Sequence, residues 1–95
     1  MSEQSEYRST DYYYFADNAN ADAEQQLRNM HASSAAADVA ERDSVRADHR
    51  KRAAYYAVLY AEAIMRRDRN ISRARAADIA ERAESARLHE SYRQD

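Results

Sequence analysis

The 95-residue chain contains neither glycine nor proline. No other feature limits its fold so strongly. At average usage about eleven of the two would stand in a chain of this length. Glycine supplies the positive φ of tight turns, and proline pre-sets turn geometry. A chain without them is poorly equipped for hairpins between strands, and it also lacks the residues that interrupt helices. Alanine, the best helix former, occurs 21 times. Both facts predict an all-α fold.

The apolar content is thinner than its total. Hydrophobic residues make up 44% of the chain and alanine supplies half of them, while Leu, Ile, Val and Phe number ten. Eight tyrosines, three methionines and the alanine faces must therefore build most of the core. A monomer of this size with so little aliphatic volume is marginal. A homo-oligomer or a bound protein partner is expected. Cysteine is absent, which removes disulfides and thiol chemistry. No apolar run approaches the ~18 residues of a membrane-spanning helix, and the polar start Met1 to Thr10 does not read as a signal peptide. The expected location is the cytoplasm or a virion. Arginine outnumbers lysine fourteen to one, which suggests a GC-rich bacterial or phage genome; the small size fits a phage-encoded protein.

Residues 1–10 read as a polar tail and 11–95 as one helical domain. Tyr12, Ala16, Ala19, Ala23, Leu27 and Met30 recur every three or four residues, the period of one helix face. With Thr10 or Asp11 as cap, they place a first helix at 11–31. Ser33 and Ser34 are candidate caps for a second helix running to Arg69; Asp43-Ser44 is an alternative start that would give four helices. Residues 53–65 are apolar except for Glu62. A helix apolar on all sides is usually buried on all sides, so this segment is the expected centre of the fold. Asn70 reads as a left-handed stop and Ser72 as the next cap. A third helix to Tyr92 would turn Ala76, Ile79, Ala83 and Ala86 to one face. Five acid-to-base pairs at i,i+4 reinforce the helices: Glu24–Arg28, Asp38–Arg42, Asp48–Arg52, Glu62–Arg66 and Asp78–Arg82. The expected architecture is a small antiparallel bundle of three helices, four with the alternative start, or else an extended helical hairpin. The alanines at 16, 19 and 23, and at 76, 83 and 86, would permit close helix contacts.

The run Tyr12, Tyr13, Tyr14, Phe15 is the most unusual local feature. Four consecutive rings span roughly 300° of a helix and cannot all enter one narrow core. Tyrosines bury much area while keeping a polar tip, which suits protein interfaces. These four residues are the candidate partner-binding site. The Ala16–Ala19–Ala23 seam places Tyr12 nearest the core and Phe15 towards it, leaving Tyr13 and Tyr14 as the better anchors. The competing reading makes the run a mixture of core and boundary positions.

Charge is polarised: residues 1–48 hold ten acids and four bases, and residues 49–95 hold seven acids and eleven bases. Two basic clusters stand out, Arg46, Arg50, Lys51 and Arg52, then Arg66, Arg67, Arg69, Arg73 and Arg75. They are the candidate nucleic-acid site of the alternative reading, since arginines neutralise phosphates. Against it stand a solvated face, complementarity to the acidic half, and a sequence pI near 5.9. A binding series in salt separates the two, because phosphate contacts weaken steeply as salt rises. Glu3, Glu6, Asp11, Asp17, Asp22 and Glu24 against Arg8 could instead mimic phosphates. His31, His49 and His89 form no metal-ligand spacing. No motif ties Ser, Asp or Glu into catalytic machinery. No cofactor, metal or small-molecule substrate is expected, and the chain reads as a non-enzymatic interaction or structural protein.

Overall fold

A computed structural model describes residues 7–94, without the side chain of Gln94. Glu3, Glu6 and the rest of residues 1–6 of the polar tail lie outside the described residues. The described chain is two long helices and no strand: α1, Ser9–Val39, and α2, Asp43–Gln94. They run antiparallel as an extended helical hairpin whose Cα extents are 80 × 25 × 13 Å. A bundle of three or four helices is not formed.

Both interruptions expected from sequence are absent. Ser33 and Ser34 lie inside α1, and Asn70 lies inside α2. No described residue has positive φ, so Asn70 does not end a helix in the left-handed form. Its side-chain amide instead donates to the carbonyl of Arg66 at 3.0 Å, one turn back. Asn and Ser cost only about 0.5–0.7 kcal/mol against Ala in a helix. Continuous pairing of two long helices outweighs that preference. The chain turns at 40–42, where Ala40 takes extended angles, φ −72° and ψ 130°. Arg46 closes this turn. Its guanidinium donates to the carbonyl of Ala40 at 2.9 Å and meets Asp43 at 3.6 Å. A carbonyl left open by the end of α1 is thereby satisfied. The helix that follows starts at Asp43, the position sequence offered as the alternative start, with that acid in its first turn.

Along the face of α1 turned to α2, Ser9, Tyr12, Ala16, Ala19, Ala23, Gln26, Met30, Ser33 and Ala37 are buried or half-buried, and Ala40 continues them just past the helix end. Their spacing alternates three and four without exception. In α2 the same alternation runs through Arg46, His49, Ala53, Tyr56, Tyr60, Ala63, Arg67, Asn70, Ala74, Ala77 and Glu81, each buried or half-buried. That is the heptad seam of an antiparallel two-stranded coiled coil. Cross-helix bonds fix its register: Ser9 to Glu81, Asn20 to Arg67, and Asp22 to Arg66.

Two expectations about α2 are corrected by this seam. Ala76, Ile79, Ala83 and Ala86 face solvent, and Ala74 and Ala77 hold the seam instead. Residues 53–65 are not buried all round. Ala63 is fully buried, but Ala54, Tyr55, Val58, Ala61 and Met65 are exposed. One neighbouring helix covers only about half of a helix circumference, and the hairpin has no third layer to cover the rest. Of the five i,i+4 ion pairs, Asp78–Arg82 closes at 3.2 Å, whereas Arg66 turns away from Glu62 to Asp22 on α1.

Candidate protein interface

The open end of the hairpin is built around a capping contact. Ser9 opens α1, and its backbone N–H donates to Glu81 Oε2 at 3.0 Å. The Ser9 hydroxyl donates to Glu81 Oε1 at 3.2 Å, and Arg8 lies 3.6 Å from the same oxygen. The Arg8 backbone N–H donates to Asp11 Oδ2 at 2.9 Å. Two carboxylates thus sit where the first N–H groups of α1 point and where its dipole is positive. They also explain why α1 begins at Ser9, two residues earlier than sequence suggests.

This cap positions the aromatic run. Tyr12 enters the seam and is buried, and Phe15 is half-buried beside it. Tyr7 packs edge-on against both, with ring centroids 5.8 Å from Tyr12 and 5.2 Å from Phe15. Tyr14 leans on Phe15 at 6.2 Å. Tyr13 and Tyr14 remain 43% and 63% exposed. The four candidate rings therefore divide into one in the seam, one at its edge and two facing out. Tyr7 joins the same cluster and was missed, because a single tyrosine ahead of the helix carries no periodic signal. A groove of about 610 Å³ lies beside the cluster, between Tyr7, Arg8 and Tyr12 on one side and residues from Arg73 to Arg87 of α2 on the other. A second, of about 390 Å³, runs between Tyr13, Ala16 and Asp17 and the α2 residues Arg67, Ile71 and Arg75.

The basic candidates are not brought together as one surface. Arg46 serves the turn, Arg66 pairs with Asp22 at 2.7 Å, and Arg67 donates to Asn20 at 3.0 Å and contacts Asp68. Arg50, Lys51, Arg52, Arg69, Arg73 and Arg75 are exposed along α2. Of the acids that could mimic phosphates, Asp11 caps α1 and Asp22 is taken by Arg66. Among the described residues no group of three or more His, Cys, Asp or Glu is placed to hold a metal ion. No helix there is long and apolar enough to cross a membrane.

Fold and surface together define an α-helical hairpin with a heptad seam and aromatic side chains left outside it. Compared with protein-family models, curated proteins and solved structures, the chain matches none.

Proposed function

We propose that this chain is a non-enzymatic interaction or structural protein of the cytoplasm or a virion, and that Tyr13 and Tyr14 contact its partner. The observation that carries the reading is the division of the aromatic run. Tyr12 is held in the seam, which fixes the helix, while the next two rings are 43% and 63% exposed on a capped helix end. Tyrosines presented in this way bind at low entropic cost, because little about them has to be ordered. The nucleic-acid alternative has weaker support, since Arg46, Arg66 and Arg67 are engaged within the hairpin.

The test is the double variant Tyr13→Ala, Tyr14→Ala. Removing interface anchors costs about 2 kcal/mol or more in binding, and exposed positions leave the fold nearly unchanged. The variant should keep its helix content by circular dichroism and lose the proteins that co-purify with wild type. Undiminished capture by a folded variant rejects these two anchors. Unfolding would assign the run to the core.

A further inference from the structure

Residues 53–65 present a second stripe on the side of α2 turned away from α1. Ala54, Val58, Ala61 and Met65 follow one another at four, three and four residues, with Tyr55 beside them. Tyr55, Val58 and Met65 are 61%, 55% and 62% exposed. The spacing is again that of a coiled-coil seam. Lys51 continues the stripe towards the turn, and Asp68 continues it towards the open end.

We infer that this face binds a second copy of the chain, α2 against α2, antiparallel about a two-fold axis passing between Leu59 and Tyr60. The inference rests on the reading of the chain as an interaction protein, but it uses a different surface from Tyr13 and Tyr14. What selects a second copy is the effect of folding the stripe back on itself. An isologous interface must be complementary to its own image. About this axis Val58 meets Ala61 and Ala54 meets Met65, a larger residue against a smaller one in every layer, and each layer occurs twice. The same register sets Lys51 opposite Asp68 at both ends of the apolar segment. One position off the stripe, Asp48 comes opposite Arg69. All four of these charged residues are exposed in the hairpin. Asp68 already meets Arg67 at 3.0 Å, and its side chain remains 61% exposed, open to a second cation.

Other registers lose the match. Parallel pairing sets Lys51 on Lys51 and Asp68 on Asp68. Sliding the antiparallel pair by one heptad in one direction puts Val58 on Asp68 and Lys51 on Arg75. Sliding it in the other leaves Lys51 on Ala61 and Asp68 on Ser44. Like charges and buried unpaired charges both disfavour these arrangements. Charge thus fixes the register that the apolar layers tolerate. The product is a four-helix assembly in which each hairpin supplies the missing layer of the other over 53–65.

The experiment is sedimentation of the full chain over a concentration series. Wild type should sediment as a dimer. Asp68→Lys replaces two attractions with two repulsions and should weaken dimerisation by about tenfold or more; Lys51→Asp should do the same. The double variant Lys51→Asp, Asp68→Lys restores opposite charges in reverse and should return to within about threefold of wild type. Val58→Arg should abolish the dimer at unchanged helix content. A chain that is monomeric throughout the series overturns the inference, as does an Asp68→Lys protein that dimerises like wild type or a double swap without rescue. Dimers that survive all these changes but are lost in Tyr13→Ala, Tyr14→Ala also overturn it, while leaving the interaction reading standing. A monomer that still captures a partner through Tyr13 and Tyr14 does the same.

Discussion

The two halves of the hairpin share one heptad and fill it differently. In the open half, residues 9–23 lie along residues 63–81. Its seam holds Ser9, Tyr12, Ala16, Ala19 and Ala23 on α1 and Ala63 and Ala74 on α2, all buried, with Arg67, Asn70, Ala77 and Glu81 half-buried among them. In the loop half, residues 26–40 lie along residues 46–60. There the seam holds Gln26, Met30, Ser33, His49, Tyr56 and Tyr60, all half-exposed, and Ala37 is the buried position. The half with the larger side chains is the wetter one. Alanine lets two backbones approach until each shields the other, so two helices suffice to exclude water. Tyr56, Tyr60 and Met30 stand out past both helices, whereas Tyr12 in the open half is covered because Tyr7 and Phe15 pack against its ring. The exposed stripe of α2 begins in that same loop half, so the region with the most unrealised burial is the one we assign to a second copy.

The largest expected effect tests whether the open half is closed by alanine contact. Ala74 is fully buried and Ala76, two residues on, is exposed. Ala74→Leu must force the helices apart and should cost about 1–3 kcal/mol. Ala76→Leu should fall within about 0.5 kcal/mol of wild type. Thermal unfolding followed by circular dichroism reads both. Equal shifts would mean that the seam does not run through Ala74, and a larger loss at position 76 would favour the face expected from sequence.

That pair also marks what could be read from the sequence and what could not. The first turns of α1 were legible, because Tyr12, Ala16, Ala19 and Ala23 are apolar and sit at seam positions. Beyond them the seam passes through Gln26, Ser33, His49, Arg67, Asn70 and Glu81, so apolar periodicity fades while the heptad continues. Leu27 carried the expected stripe one residue off the seam. Around Ile79 the apolar residues trace a face pointing to solvent, because Glu81 occupies the seam to cap the other helix. The breaks were misplaced for a related reason. Ser33, Ser34 and Asn70 are local signals worth about 1 kcal/mol or less, whereas a partner helix stabilises every turn it covers. The division of Tyr12 to Phe15 was legible from the phase of the Ala seam; the exposure of Tyr55, Val58 and Met65 was not, because no sequence feature reveals how many layers surround a helix.

Glu81 should produce the next largest effect, confined to the open end. Its carboxylate accepts from both the backbone and the hydroxyl of Ser9. Glu81→Ala removes a cap supplied across the hairpin, and lost caps cost about 0.5–2 kcal/mol. Hydrogen exchange should quicken at the first-turn amides of α1, while the amides of residues 26–37 keep their protection. Uniform loss along both halves would show that Glu81 supports the whole pairing and not one helix end.

The smallest effect concerns the boundary between the halves, where Asp22 and Arg66 bridge the helices at 2.7 Å beside Ala23. Both side chains are about half exposed, so water and salt screen much of their attraction, and holding two flexible side chains in one geometry opposes the gain. The geometry is close and the pair joins two helices, but neither charge is desolvated. A double-mutant cycle with Asp22→Ala and Arg66→Ala should therefore give a coupling of about 0.2–1 kcal/mol at low salt. Raising salt to ~1 M, where the screening length falls to roughly 3 Å, should reduce it. A coupling that is several-fold larger and insensitive to salt would place this pair in a dry environment. The hairpin would then be covered at its midpoint on the Asp22 side, and the contrast between a two-layer open half and an uncovered loop half would fail there first.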